Sequence, residues 1–242
     1  MPLTIKPIPI LDDNYAWFLR DEATGMTAVA DAAEAAPVIA FVEAHGGRLD
    51  WLLITHHHGD HIAGIPEVQA RFGAKVAGAA ADAHRLPKLD VALKPGETFM
   101  LGESTAHILD SPGHTRGAIA WHFPDGPAVL SGDTLFAAGC GRLFEGTPED
   151  MHASLQALGA LPDQTLVCCG HEYTMSNIRF ALHVEPGNAA LHDFAARAEA
   201  LRAEGRPTVP TTIGLEHAIN PFLRAKDAAE LAARRAAKDG FR

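Results

Sequence analysis

The residue types best able to do chemistry crowd into one run, Thr55-His56-His57-His58-Gly59-Asp60-His61. Imidazoles and carboxylates in that mixture are metal ligands first, because they offer the N and O donors that suit zinc, iron and manganese. Three further candidates stand apart downstream: His114, Asp133 and His171. The set His56, His58, Asp60, His61, His114, Asp133 and His171 is too large for one catalytic ion, which takes about three or four protein ligands and keeps a position open. It suits two ions if one carboxylate bridges them. Asp133, alone on its segment, is the expected bridge. In an extended segment His56 and His58 project to one side while His57 points off, so His56, His58 and His114 are expected on one ion. Asp60 and His61 follow a glycine, where the chain can turn, which assigns Asp60, His61 and His171 to the other. Two ions about 3.5–4 Å apart can hold a shared hydroxide. Hydrolysis is therefore the expected chemistry, with Asp60 and Asp133 as catalytic carboxylates and two divalent ions as cofactors, zinc first and iron or manganese as alternatives.

Each ligand candidate lies just past a short apolar run that reads as a buried strand. Residues 51–55 lead into the His/Asp run; 105–109 lead through Asp110-Ser111-Pro112-Gly113 to His114; 128–131 lead to Asp133; 166–169 lead to His171. Loops at the carboxyl ends of strands build sites in α/β proteins while the sheet holds them rigid. Other strands are expected at 3–10, 15–20, 26–31, 75–78 and 118–123, and helices at 37–45, 62–72 and 148–161. Strand signals stop after about residue 172, and 175–183, 189–204 and 227–238 read as helices. The reading is an α/β catalytic domain over 1–170 and a helical, substrate-binding domain over 171–242.

Composition narrows the function classes. The net charge of −10 argues against a nucleic-acid substrate, because phosphate binding wants a basic surface. No apolar run reaches the roughly 18 residues of a membrane span. The first residues, Met1-Pro2-Leu3-Thr4, lack a secretory signal pattern, so a cytoplasmic, monomeric protein acting on a small molecule is expected. Cys140, Cys168 and Cys169 are too few and too odd in number for a disulfide framework. Cys168 and Cys169 are expected to be small core residues.

The motif Thr55-His56-x-His58-x-Asp60-His61, followed by His114, Asp133 and His171, resembles the metallo-β-lactamase superfamily signature. Gly132-Asp133-Thr134-Leu135-Phe136, Gly139-Cys140-Gly141-Arg142-Leu143-Phe144-Glu145-Gly146, Gly170-His171-Glu172-Tyr173-Thr174, His183-Val184-Glu185-Pro186-Gly187-Asn188 and Asn220-Pro221-Phe222-Leu223-Arg224 resemble glyoxalase II, the hydroxyacylglutathione hydrolases. The resemblance implies an αββα sandwich followed by a small helical domain. It implies hydrolysis of S-D-lactoylglutathione to D-lactate and glutathione, the second step of methylglyoxal detoxification. It implies substrate contacts from Arg142, Phe144, His171, Glu172, Tyr173 and Arg224, with Lys226 a further basic residue. Some members carry Lys and Tyr where Arg142 and Phe144 stand. Arg142 keeps the charge in a planar fork, whereas Phe144 can only pack. A persulfide dioxygenase of the same fold is the alternative reading, although that group generally lacks a matching tail with Arg224.

Overall fold

The computed structural model describes residues 3–241. Met1, Pro2 and Arg242, which close the two expected domains and begin the N-terminal segment read above, lie outside the described residues. The chain divides into two compact units: residues 1–110 with 117–132, and residues 111–116 with 133–242.

In the first unit β1 (Leu3–Ile10), β2 (Asn14–Asp21) and β3 (Thr27–Ala30) form an antiparallel meander. Helix α1 (Ala35–Ala44) then crosses to β4 (Trp51–Leu53), which is parallel to β3. The loop after β4 leads into a single turn, α2 (Gly59–Ile62), and then α3 (Ile65–Phe72). Parallel strands β5 (Lys75–Ala79) and β6 (Val91–Leu93) complete a sheet ordered β1-β2-β3-β4-β5-β6. Val38 and Val42 of α1 and Ile65 and Val68 of α3 pack with Phe18, Val29, Leu52 and Val76 on one face of this sheet. That burial is why 52–54 reads as a continuous apolar run rather than an alternating one.

The other face receives a second, antiparallel set: β7 (Thr98–Leu101), β8 (Ser104–Asp110), β9 (Ile119–Phe123) and β10 (Ala128–Gly132). Phe99 stands edge-on to Trp51 and to Trp121, with centroids 4.9 and 5.5 Å apart. The Trp121 indole N–H donates to the Ile54 carbonyl at 3.1 Å, pinning the end of β4 where the His/Asp run begins.

The second unit opens with a hairpin, β11 (Leu135–Phe136) and β12 (Gly139–Cys140). Helix α4 (Pro148–Gly159) follows, started by a Thr147/Asp150 capping box. Then come β13 (Leu166–Cys169), α5 (Thr174–Val184), α6 (Ala189–Ala203), β14 (Thr211–Thr212), α7 (Ile213–Ile219) and α8 (Ala228–Asp239).

Two expectations need correction. The helix read over 62–72 is two elements, because a Cβ at Gly64 would sit 2.8 Å from the Ala32 carbonyl and Pro66 opens a fresh first turn. The tail is not purely helical: Thr211 and Thr212 pair with Val167 and Leu166. Two residues carry no readable period. Strands β6 and β7 and helix α7 were likewise too short to announce themselves. The cysteines behave as expected: all three are buried, and burial pushes the thiols of Cys140 and Cys169 up to about 11 and about 12.

Candidate metal centre

In the first unit the candidate ligands follow directly on β4. Thr55 anchors them, and its own anchor is Asp31, a residue the sequence reading passed over. Asp31 is buried at the end of the β3 segment with φ 57°, a left-handed conformation that Asp tolerates better than most side chains. Its Oδ1 accepts from Thr55 N at 2.9 Å. Its Oδ2 accepts from Thr55 Oγ1 at 2.7 Å and lies 3.1 Å from His61 Nδ1. A hydroxyl has one proton. Since Thr55 Oγ1 donates to Asp31, its 3.0 Å contact with His56 Nδ1 has the imidazole donating. Asp31 therefore fixes the protons of two rings at once: Nδ1 of His56 and Nδ1 of His61 both carry hydrogen, and Nε2 is left as the donor atom of each. This is the outer-shell pattern that orients metal-binding histidines.

His58 is the N-cap of α2, extended at φ −62°, ψ 145°, and His61 N bonds its carbonyl at 3.0 Å. That turn brings the His56 ring 4.0 Å from His61 and 4.8 Å from His58, centroid to centroid. Asn14 Nδ2 donates to the Asp60 carbonyl and lies 3.3 Å from its carboxylate. His57 points elsewhere, as its alternation predicts: Nδ1 is 3.3 Å from Asp82 Oδ2, and Arg85 bonds both Asp82 and the opposite ring nitrogen. Gly132, with φ 49°, is required by close approach, since a Cβ there would meet Thr55 Oγ1 at 2.6 Å.

In the second unit His114, Asp133 and His171 are all buried. His114 Nδ1 lies 2.8 Å from the Arg142 carbonyl. A carbonyl can only accept, so the proton is again on Nδ1. His114 Nε2 then faces Asp133 Oδ2 at 3.5 Å, and His171 Nε2 lies 3.2 Å from the same oxygen. In the first unit His61 Nε2 faces Asp60 Oδ2 at 3.8 Å. In a neutral imidazole whose proton is held at Nδ1, Nε2 presents a lone pair, and a lone pair aimed at a carboxylate oxygen is stabilised by a cation between them. The donor chemistry thus fits metal ions. Gly141 is forced by the same crowding: a Cβ would overlap the Asp133 carbonyl and lie 3.0 Å from His114 Nδ1.

The expected substrate residues have mixed surroundings. Phe144 is exposed and stands edge-on to His114 at 5.2 Å. Arg142 is exposed and 3.6 Å from Asp239, and both line a pocket of about 450 Å³ together with Phe144, Pro148 and Arg235. Tyr173 stacks on His171 at 4.5 Å and 9°. Glu172 turns to the tail, where its carboxylate accepts from Thr208 N at 2.9 Å and Thr208 Oγ1 at 2.5 Å and lies 3.7 Å from Arg202. Arg224 donates to the His217 carbonyl at 2.9 Å and pairs with Glu185. Lys226 is exposed, and its backbone N–H donates to the Glu230 carboxylate at 2.9 Å. Asp31 and Asn14 were missed, and Thr55 was read as part of the motif without its anchoring role. For Asp31 the signal was present, since it too stands just past an apolar strand.

Comparison with known proteins fits this arrangement. Residues 23–171 match the metallo-β-lactamase superfamily, and residues 172–241 match the family described as Hydroxyacylglutathione hydrolase C-terminus. The chain is 58% identical over 238 residues to hydroxyacylglutathione hydrolase of Acidiphilium cryptum (strain JF-5), covering 98% of this chain and 97% of that protein. It is 55% identical to the enzyme of the same name from Ruegeria pomeroyi, covering 94% of this chain and 89% of that one. The crystal structure of ETHE1 from Myxococcus xanthus superposes with a TM-score of 0.70 at 24% identity, over 96% of this chain and 90% of that one, which speaks to the fold alone.

The fold is that of the metallo-β-lactamases, α/β with mixed sheets and helices and a C-terminal helical domain, and it carries a His/Asp cluster capable of binding a dinuclear metal. Within that superfamily the chain belongs to the hydroxyacylglutathione hydrolase family. It is a hydrolase. No helix among the described residues is long and apolar enough to cross a membrane.

Proposed function

We propose that the two sets of ligands complete one two-ion centre that hydrolyses S-D-lactoylglutathione to D-lactate and glutathione. His56, His58 and His114 would hold one ion and Asp60, His61 and His171 the other, with Asp133 as the carboxylate shared by both sets. Zinc is the first choice, with iron or manganese compatible. What carries this reading is the match of 172–241 to the family-specific tail, in a chain whose relatives bear the hydroxyacylglutathione hydrolase name across nearly their whole length. The same match disfavours the persulfide dioxygenase alternative. The end of the superfamily match at residue 171 supports a domain boundary at 170/171. A small-molecule substrate, a monomer and a cytoplasmic location complete the proposal.

Bound ions would supply a water deprotonated near neutral pH and a Lewis acid for the thioester carbonyl. The protein's part is geometric. Asp31, through Thr55 and His61, keeps imidazole protons on Nδ1. Asp60 accepts a hydrogen bond from the attacking water and orients it. Arg142 and Arg224 hold the carboxylates of the glutathione moiety. Tyr173, stacked on His171, and Phe144 offer aromatic surface to the substrate chain. Glu172 acts by fixing the Thr208 segment. The leaving thiolate has a conjugate acid of pKa about 8.5 and departs without a strong general acid.

The test is Asp133→Ala. Metal content and lactoylglutathione hydrolysis are expected to fall together, and full activity would refute the bridged centre. Oxygen uptake with glutathione persulfide in place of thioester turnover would favour the dioxygenase.

A further inference from the structure

The hairpin β11–β12 begins two residues after Asp133 and ends two residues before Arg142, whose carbonyl accepts a hydrogen bond from His114 Nδ1. Its main chain is held by side chains from later in the chain. Ala138 N donates to Glu216 Oε2 at 2.9 Å. Asn220 Nδ2 donates to the carbonyls of Phe136 and Gly139 at 3.2 and 3.0 Å, and Asn177 Nδ2 to that of Ala137 at 3.1 Å. Arg235 Nη1 donates to the Cys140 carbonyl at 2.9 Å. Five consecutive residues, 136–140, are thus each tied by a side chain from α5, α7, the turn after α7, or α8.

Glu216 and Asn220 are the centre of this node. Both are fully buried. Asn220 Nδ2 also donates to Glu216 Oε2 at 2.9 Å, and Thr211 Oγ1 donates to Glu216 Oε1 at 2.6 Å. Asn220 Oδ1 accepts from the backbone N–H of Phe222 and Leu223, which shapes the turn into Arg224. The node works against the preference of the alanine at the turn, since Ala138 sits at φ 53°, a left-handed conformation that disfavours a Cβ. A buried carboxylate is also a costly way to fill space, and burial pushes Glu216 up to about 7 despite its three hydrogen bonds. Packing alone would be better served by an apolar side chain.

We propose that Glu216 and Asn220 are positioning residues of the active site: they fix the 136–140 hairpin, and through its two ends the Asp133 ligand and the carbonyl that sets the His114 tautomer. The inference rests on the metal-centre reading above. It gives the helical tail a second task beside substrate binding.

The test uses the full-length chain. Glu216→Ala is compared with Glu216→Gln, which can accept from Ala138 N and Asn220 Nδ2 on its oxygen and donate to Thr211 Oγ1 with its amide. Near-ultraviolet circular dichroism checks folding, chelator competition reads zinc affinity, and steady-state kinetics reads kcat and KM. Glu216→Ala is expected to bind zinc about 10- to 100-fold more weakly, the range for loss of outer-shell support, with Glu216→Gln restoring most of it. Wild-type zinc affinity and kcat in a folded Glu216→Ala would overturn the proposal, as would a Glu216→Gln no better than the alanine variant. If Glu216→Ala does not fold, Asn177→Ala removes a single hairpin bond. Weaker zinc binding there supports positioning, and a lower Tm with unchanged zinc affinity overturns it. The zinc measurement is independent of substrate, so a wild type that fails to hydrolyse lactoylglutathione would refute the proposed reaction without deciding this inference.

Discussion

Asp31→Asn separates proton bookkeeping from packing. The substitution keeps shape, burial and tolerance of φ 57°. Asn Oδ1 can still accept from Thr55 N, which holds its place 2.9 Å away. The amide nitrogen would stand where Oδ2 now receives Thr55 Oγ1 and His61 Nδ1. An NH₂ group cannot accept from either. The hydroxyl can rotate, but the His61 ring must move its proton from Nδ1 to Nε2 to accept from the new amide. Nε2 is the atom that faces Asp60 at 3.8 Å, so the ligand lone pair disappears in the favoured tautomer. Retaining one strong bond and replacing two others limits the stability loss to about 1–2 kcal/mol, the scale of one or two altered buried hydrogen bonds. Metal affinity is expected to drop about 10- to 100-fold. Asp31→Ala differs in kind. It strands the Thr55 and His61 donors at about 1–3 kcal/mol each and places a Cβ residue with no polar side chain in the left-handed region at about 1 kcal/mol more. Urea unfolding of the metal-free proteins reads the first quantity, and zinc competition with a chromogenic chelator reads the second. An Asp31→Asn protein that binds zinc as tightly as wild type would refute the tautomer argument.

Two further outcomes follow from the described contacts. Glu216 carries a carboxyl raised from 4.5 to about 7 by burial, so the folded state holds its proton more tightly than the unfolded one. Its contribution to stability is full below pH 4.5 and is lost as pH rises through 7, an effect of about 3 kcal/mol at 1.36 kcal/mol per pH unit. Urea unfolding at pH 5 and pH 8 should show that loss in wild type and a flatter profile in Glu216→Gln; matching profiles would remove the assignment. Gly132→Ala should destabilise by about 2 kcal/mol or more, from positive φ and the 2.6 Å approach to Thr55 Oγ1, and a Tm equal to wild type would show that the Thr55 loop can shift without penalty.

How much was legible depended on the length of the signal. The runs behind the candidate ligands, at 51–55, 128–131 and 166–169, are apolar, the last two stopped by Gly132 and Gly170, and they give the strands β4, β10 and β13. Helix α4 was readable because Thr147-Pro148-Glu149-Asp150 is a start signal as well as a sequence. Hairpin β11–β12 and the Thr211–Thr212 strand were not readable, because two-residue strands have no period. Glu172 reads from its neighbours as a site residue, yet its carboxylate is engaged by Thr208, a partner 36 residues on that no local pattern announces.

Residue type and spacing alone marked the candidate ligands and the superfamily signature, because donor chemistry is a property of each side chain and the strand ends leave their mark locally. Which nitrogen of the His56, His61 and His114 rings carries the proton was decided only by tertiary structure. That choice depends on Asp31 reaching Thr55 and His61 from 24 and 30 positions away, and on the Arg142 carbonyl reaching His114 from 28. The work of the tail was hidden for the same reason. Glu216 and Asn220 hold the hairpin from about 80 residues beyond it, and hydrogen bonds over such separations exist only once the chain has folded.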